Sequence, residues 1–167
     1  MLINGQTFTT PKTLLSWEGY TLNVNAASPQ TLSGKPYVFS SWFDAKGQQH
    51  AIVTGATPST YTATFKSCTK SGTSAAETLS GTSAADIICG FGGNDTIEGL
   101  GGNDLLYGGS GADNVKGNSG ADSLYGQDGN DALNSQDGVN GNDSLNGGAG
   151  TDTKVTDATE KSIVGFP

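Results

Sequence analysis

The sequence predicts an all-β protein made of a small antiparallel or mostly-β module over residues 1–67 and a flattened parallel spiral over residues 72–155, followed by a C-terminal cap or tail at 156–167. Three observations support this fold class. β-Branched and aromatic runs bounded by turn residues fill the first part. A nine-residue repeat with one aliphatic side chain per copy fills the second part. No stretch has the apolar period of a helix.

The first module contains five runs that predict strands. Tyr37 and Phe39 alternate with Val38 and Ser40, which is the period of a sheet with one buried face. Residues 44–47 predict a hairpin loop that ends in a glycine. A sandwich-like or grasp-like β module follows from this pattern. The five runs are 6–9, 20–25, 35–44, 49–54 and 61–66.

The charge of the chain excludes several classes of partner. Sixteen acidic residues oppose eight lysines, the sequence has no arginine, and the net charge is −8. Phosphate backbones bind clustered Lys and Arg, so we expect no nucleic-acid binding. No stretch approaches the roughly 20 apolar residues of a membrane-spanning helix. We therefore expect no membrane insertion.

The second part is built from a repeat whose best copy runs from Gly108 to Lys116. Position six is acidic and position eight is aliphatic, and the nine-residue period runs without a gap to Asn134. A three-residue insertion, 135–137, then precedes two further copies. Position six is occupied by Glu77, Asp86, Asp95, Asp104, Asp113, Asp122, Asp131, Asp143 and Asp152. Position eight is occupied by Leu79, Ile88, Ile97, Leu106, Val115, Leu124, Leu133 and Leu145, and by Lys154 in the last copy.

This spacing brings acidic side chains together. Six residues rich in Gly, Asn and Asp form a turn and three form a short strand, so two repeats complete one coil and strands stack about 4.8 Å apart. Carboxylates of repeats n and n+2 then become neighbours and repel each other by about 1 kcal/mol per pair even in water. Carboxylate and carbonyl oxygens suit Ca²⁺, whereas Zn²⁺ prefers His and Cys and Mg²⁺ demands a tighter octahedron.

The repeat resembles the repeats-in-toxin (RTX, hemolysin-type) calcium-binding nonapeptide, Gly-Gly-x-Gly-x-Asp-x-apolar-x. The resemblance implies a parallel β-roll with several Ca²⁺ ions, each between turns n and n+2. The implied side-chain ligands are Asp86, Asp95, Asp104, Asp113, Asp122, Asp131, Asp143 and Asp152. The implied backbone carbonyls belong to Gly90, Gly92, Gly99, Gly101, Gly108, Ser110, Gly117, Ser119, Gly126 and Asp128. The implied pairs are Asp95 with Asp113, Asp104 with Asp122, Asp113 with Asp131 and, more weakly, Asp86 with Asp104.

Some copies depart from the motif. Glu77 replaces the aspartate in a turn poor in glycine, so we expect that repeat to cap the stack. The insertion leaves open the pairing of Asp122 with Asp143 and of Asp131 with Asp152. Lys154 at a core position indicates that the roll ends there.

The first module is similar to the divergent B-repeat-like modules of bacterial surface proteins, through residues 34–42 and 61–65. That similarity implies a spacer or adhesion element, with a surface polysaccharide or protein as its partner. Trp17, Trp42 and Phe43 suggest an aromatic sugar platform, although Trp42 fits a core position better. His50 lies on a predicted strand, and we assign no catalytic triad to it with Asp44.

Cys68 precedes the first repeat and Cys89 ends the second, so a disulfide between them would staple this end of the roll. We expect a non-enzymatic, extracellular, bacterial-type calcium-binding module whose roll folds when calcium binds. The alternatives are an adhesin and the non-catalytic C-terminal part of a secreted hydrolase. No signal peptide is visible at residues 1–10, which favours export by another route or a fragment of a longer exported protein.

Overall fold

The structure is a computed structural model that describes residues 2–3, 6–7, 21–25, 30–32, 35–42, 49–53 and 63–166. All regular elements in these ranges are strands, and none of these residues belongs to a helix that could cross a membrane. The chain divides into two compact units, Met1–Lys66 and Ser67–Pro167. The all-β fold class predicted from the sequence is confirmed.

The first unit contains short strands in two sheets. One sheet has the order β2-β1-β3-β6 and is antiparallel, and the other has the order β4-β5-β7. Val38 is fully buried in β5, and the Phe39 and Phe65 rings meet edge to face with centroids 6.0 Å apart. The strands are β1 (Leu2–Ile3), β2 (Gln6–Thr7), β3 (Thr21–Asn25), β4 (Gln30–Leu32), β5 (Lys35–Trp42), β6 (Gln49–Val53) and β7 (Ala63–Ser67).

The five predicted strands are confirmed with ends shifted by up to two residues, and β1 and β4 were not predicted. The predicted alternation is not seen in the burial of β5, because Val38 is buried but Ser40 on the same face is exposed, and Phe39 between them is half-buried. Trp17, Phe43 and the predicted hairpin at 44–47 lie outside the described residues. His50 lies on β6, and the roles considered for Trp42 and His50 stay predictions.

The second unit is a parallel β-solenoid in which successive strands alternate between two sheets. The sheets have the orders β18-β16-β14-β12-β10-β8 and β17-β15-β13-β11-β9. Each central strand pairs with the strand one coil away in sequence. The strands are β8 (Lys70–Ser71), β9 (Thr78–Ser80), β10 (Ile87–Gly92), β11 (Thr96–Gly101), β12 (Leu105–Ser110), β13 (Asn114–Ser119), β14 (Ser123–Asp128), β15 (Ala132–Asn134), β16 (Ser144–Ala149), β17 (Thr153–Val155) and β18 (Ser162–Val164).

The core of the solenoid is the column of position-eight side chains. All eight aliphatic residues predicted at this position form one buried cluster, and seven of them have no more than 1% of their surface exposed. The pairing register places like on like, for example Ile97 opposite Val115 and Leu124 opposite Leu145. The prediction that each nonapeptide with an aliphatic position eight contributes one core side chain is therefore confirmed.

The central strands are longer than the predicted three residues. They continue through positions one to three of the next repeat, with a left-handed residue at position two. Asn118 and Gln127 have positive φ angles of 67° and 78° there, although neither is glycine. The sequence prediction treated these positions as turn because they are rich in Gly, Asn and Asp. Instead, the pairing is interrupted only at position one and resumes at the left-handed residue itself.

The insertion and the C-terminal segment also differ from expectation. The extra residues bulge outward around Gly138, where an added Cβ would meet nothing within 4 Å, while Ser135 is fully buried and continues the coil. The stack does not end at Lys154, because β17 contains that residue and β18 follows it. The Phe166 ring packs against the core, and the Lys154 Nζ atom lies 4.6 Å from its centroid.

The N-terminal end of the solenoid is closed by a disulfide between Cys68 and Cys89. It joins Cys68, two residues before β8, to the buried Cys89, which follows Ile88 in β10. The Thr69 Oγ1 atom donates to the Asp86 carboxylate at 2.9 Å beside it. The predicted staple is therefore present in the structure, at the end where the turns are poorest in glycine.

Candidate metal sites

The position-six acids form two ladders along the edges of the solenoid. In each ladder, the backbone N–H of one acidic residue donates to an Oδ1 atom of the aspartate one coil further on, over 2.7 to 2.9 Å. These bonds exist because equivalent positions of turns n and n+2 stack in parallel register. The ladders contain the four predicted pairs and the two that the sequence left open: Asp86–Asp104, Asp95–Asp113, Asp104–Asp122, Asp113–Asp131, Asp122–Asp143 and Asp131–Asp152.

The insertion does not break the ladder. Asp122 and Asp131 donate across a separation of 21 residues, instead of the 18 of a regular coil, at distances of 2.7 and 2.8 Å. Since the extra residues bulge outward, the two turns keep the same stacking. The pairing that the sequence left open is thus present.

The second carboxylate oxygen of most rungs is buried and has no hydrogen-bond partner. The residues concerned are at most 3% exposed. A buried anion without a partner is strongly disfavoured, so each of these oxygens needs a positive charge that the described protein atoms do not supply. The unpartnered Oδ2 atoms are those of Asp95, Asp104, Asp113, Asp122, Asp131, Asp143 and Asp152.

Six of these Oδ2 atoms, all except that of Asp143, point at the position-one glycine of their own repeat. At Gly108, the Asp113 Oδ2 atom and the Gly126 carbonyl oxygen both lie less than 3.0 Å from the point where a Cβ atom would be. We call this arrangement a cradle. It consists of a position-one glycine, the Oδ2 atom of the position-six aspartate in the same repeat, and the carbonyl oxygen of position one in the next coil. A side chain would fill the cradle, so the need for glycine here is one of space. Cradles with an unpartnered Oδ2 atom lie at Gly90, Gly99, Gly108, Gly126 and Gly147.

The predicted backbone ligands fall into two classes. Position-one carbonyl oxygens lie within 3.0 Å of the point where a Cβ atom would be on the glycine one coil earlier, and five of the predicted carbonyls belong to this class: Gly90, Gly99, Gly108, Gly117 and Gly126. Two further carbonyls of this class, at Gly147 and Gly165, were not predicted.

The position-three carbonyls lie further out. The Ser110 and Ser119 oxygens are 3.8 and 4.0 Å from the Cβ points of Gly92 and Gly101, themselves two of the predicted position-three residues. The Asp128 carbonyl accepts the Gly111 N–H at 2.8 Å. These carbonyls serve the strand ladder, and the cradles themselves are built from position one.

Position four places a second row of carbonyls close to glycine. An added Cβ at Gly120 or Gly129 would collide with the carbonyl oxygen of Gly102 or Gly111, one coil earlier. Both glycines have a positive φ, of 132° and 140°. Glycine is required at position four for both reasons, the close approach and the backbone conformation.

Burial raises the pKa of the ladder carboxyl groups. Loss of solvent is the largest cause, the N–H bond from the preceding rung opposes it, and the charge of neighbouring carboxylates adds a smaller rise. The sequence argument placed the cost of the ladder in repulsion between carboxylates, whereas the structure places most of it in burial. The pKa rises to about 6 at Asp122, Asp131 and Asp143, and it also rises at Asp95, Asp104 and Asp113.

The first coil, residues 72–89, is different because its carboxylates already have donors. The Asp86 Oδ2 atom accepts the N–H and the Oγ1–H of Thr82 at 2.7 and 2.8 Å, and the Oγ1 bond is the main reason why the pKa of Asp86 is lowered. The Glu77 Oε2 atom accepts the Thr73 N–H at 2.6 Å. Among the predicted ligands, Asp86 is thus the one whose oxygens are satisfied by the protein, and Glu77 occupies the capping place predicted for it.

The geometry of the cradles fits a hard cation of calcium type. Among the described residues, no three His, Cys, Asp or Glu side chains form a group that could hold a metal ion, so any ion would be bound mainly by backbone carbonyls and few carboxylates. An all-oxygen donor set with buried negative charge is what Ca²⁺ accepts. The residues present therefore fit the ion that the repeat implies.

A family model for the RTX calcium-binding nonapeptide repeat (4 copies) matches residues 71–106, 107–140 and 137–153. Residues 71–153 belong to the RTX repeat family. Among curated proteins, none matches this chain. The RTX match ends before β18, and it leaves the resemblance of the first module to B-repeat-like modules a prediction.

The RTX assignment accounts for the two ladders and the parallel coils. RTX nonapeptides bind calcium and form a β-roll, so calcium is the ion for which this repeat is built. Proteins with RTX repeats are typically secreted.

Proposed function

We propose that the chain is a non-catalytic, extracellular module of bacterial type in which the binding of several calcium ions drives the folding of the RTX roll. The observation that carries this proposal is the row of buried Oδ2 atoms without a partner. Burial of these charges opposes folding until a cation neutralises them, so the free energy of calcium binding becomes free energy of folding. The proposed sites are the four cradles whose atoms all lie in the repeats, at Gly90, Gly99, Gly108 and Gly126.

Two features support an extracellular location for the module. Extracellular modules bind calcium at concentrations of about 10⁻⁴ to 10⁻³ M, and the Cys68–Cys89 disulfide is of a kind that persists outside the reducing cytosol. In a calcium-poor cytosol the ladder carboxylates would keep the segment unfolded. An unfolded chain passes a secretion channel more readily than a closed roll.

Calorimetric counting of calcium ions tests the proposal. We expect several ions per chain, and a strand signal in circular dichroism that is weak in excess chelator and rises with calcium. Asp113→Ala should remove two ions, since its Oδ2 atom serves the Gly108 cradle and its Oδ1 atom holds the Asp95 turn.

Asp86→Ala is the matched control, because it removes the same charge from a carboxylate that already has protein donors. It should leave the ion count unchanged. A full strand signal in chelator, or an Asp113→Ala chain that binds as many ions as the unaltered chain, would contradict the proposal.

A further inference from the structure

The segment after the last RTX repeat, residues 156–166, continues the coil and is called here the closing segment. Its strand β18 pairs in parallel with β16, with Leu145 opposite Ile163, and the Lys161 N–H donates to the Asp143 carbonyl at 2.7 Å. The family match ends at residue 153, so neither the motif nor the match assigns a role to this segment. Its register nevertheless places Gly165 one coil after Gly147.

Gly165 completes a cradle of the same form as those inside the roll. At Gly147, the Asp152 Oδ2 atom and the Gly165 carbonyl oxygen both lie less than 3.0 Å from the Cβ point. At Gly126, the corresponding atoms are Asp131 Oδ2 and the Gly147 carbonyl. The two sets coincide although Gly165 belongs to no nonapeptide.

An independent observation shows that the carboxylate of this cradle has an oxygen atom without a hydrogen-bond donor. Asp152 is 3% exposed, and its Oδ2 atom has no hydrogen-bond partner. Its Oδ1 atom accepts the Asp131 N–H at 2.8 Å, as in the interior rungs. The carboxylate is therefore fixed in the ladder with one buried oxygen left for a ligand.

At the end of the other ladder, which contains Asp143, the closing segment supplies a carboxylate that has protein donors. The Glu160 Oε2 atom accepts the Asp143 N–H at 3.2 Å, in the place that an aspartate of the next coil would take. The Glu160 Oε1 atom accepts from the Ser135 Oγ atom and the Asp157 N–H, each at 3.1 Å. Glu160 thus ends its ladder with a carboxylate that the protein satisfies, and the Asp152 ladder ends with one that it does not.

We infer that Asp152 and the Gly165 carbonyl hold a terminal calcium ion, and that the closing segment is a ligand-bearing part of the roll. This inference rests on the proposed function. The ion links the last repeat to a segment that otherwise depends on β18 pairing and on the Phe166 contact with the core. Calcium therefore orders the C-terminal end of the chain as well as the repeats.

The test uses the full chain, with Ca²⁺ alone as the probe. Asp152→Asn should bind one ion fewer than the unaltered chain by calorimetry. At saturating calcium, its amides in Ser162–Val164 and at Gly165 should exchange with solvent at least about tenfold faster, while those of β11 to β14 keep their protection. A tenfold change corresponds to about 1.4 kcal/mol of local opening.

Asp157→Asn is the matched control, because it removes one charge from the same segment but its carboxylate accepts the Asp137 and Gly138 N–H groups. It should keep the full ion count. Phe166→Ala is a second probe that leaves every carboxylate intact, and it should weaken the binding of one ion only.

The outcomes separate the two proposals. If the unaltered chain binds no calcium, the proposed function fails. If the unaltered chain binds several ions while Asp152→Asn binds as many and Phe166→Ala weakens none, the terminal site alone is wrong. Loss of one ion in Asp157→Asn as well would also overturn it, because the effect would then be one of net charge.

Discussion

The first coil and the central coils, residues 90–134, have the same backbone path but satisfy their acids differently. In the first coil, threonine donors and a disulfide hold the turns, and the Glu77 and Asp86 carboxylates have protein partners. In the central coils, glycine opens a cradle and one carboxylate oxygen per rung stays without a partner. The comparison teaches that the same solenoid treats its turn carboxylates in two ways: protein donors satisfy them in the first coil, and one oxygen of each stays without a donor in the central coils.

Calcium removal should produce the largest difference in amide protection between the two regions. We expect chelator to abolish the amide protection of β11 to β14, since each site saturated at 100 times its dissociation constant contributes about 2.7 kcal/mol. The amides of β10 that pair with β8 should keep part of their protection, because the disulfide and the Thr82 bonds do not depend on calcium. Hydrogen exchange followed by mass spectrometry measures both. Equal loss in the two regions would remove the distinction.

Replacement of both cysteines by serine should act on the first coil. The disulfide closes a loop with a sequence separation of 21 residues, which corresponds to about 3 kcal/mol of stability in the chain-entropy description. The expected result is faster exchange in β8 and β10 together with an unchanged ion count. Thermal unfolding at saturating calcium measures the cost, and calorimetry gives the count. A lower count would mean that the first coil holds an ion after all.

A change of pH should alter the stability of the two regions in opposite directions. We expect this effect to be the smallest of the three. The pKa values of Asp122, Asp131 and Asp143 are raised to about 6 by burial. The folded metal-free roll therefore binds protons that the unfolded chain releases, and its stability is present at low pH and lost as pH rises through 6. The pKa of Asp86 is lowered, so its contribution is present at neutral pH and lost in acid.

Exchange protection in chelator at pH 5 and pH 7 checks this. The central coils should be better protected at pH 5, and the Asp86 turn should not be. If the central coils were equally protected at both pH values, burial of charge could not be what keeps the metal-free roll open.

Periodicity made most of the solenoid predictable. An aliphatic residue at position eight and an acid at position six recur at fixed spacing, and in a coil of two repeats fixed spacing becomes vertical alignment. The core column and both ladders follow from that alone. The first module has no such period, and its β1 and β4 strands are too short to leave a signal.

What the sequence could not show depends on the partners of individual atoms. The glycine-poor turn before Asp86 marked it as the weaker ligand, but the sequence could not show the cause, which is the Thr82 hydroxyl folding back on its carboxylate. Gly165 was missed since it follows no repeat. Its signal was the apolar pair Ile163 and Val164, followed by glycine and Phe166, which imitates the end of a repeat strand.

Each strand of the solenoid pairs with the strand one full coil, or two nonapeptides, away. The solenoid can therefore change length only by whole coils. Removal of 18 residues from the centre leaves every later strand in its own sheet. Side chains that stack between neighbouring coils, as the Tyr107 and Tyr125 rings do with centroids 4.8 Å apart, would still lie on one face. Removal of nine transfers every later strand to the opposite sheet and exchanges the two edges. Gene-level gain or loss of repeats should therefore be tolerated in even numbers of nonapeptides.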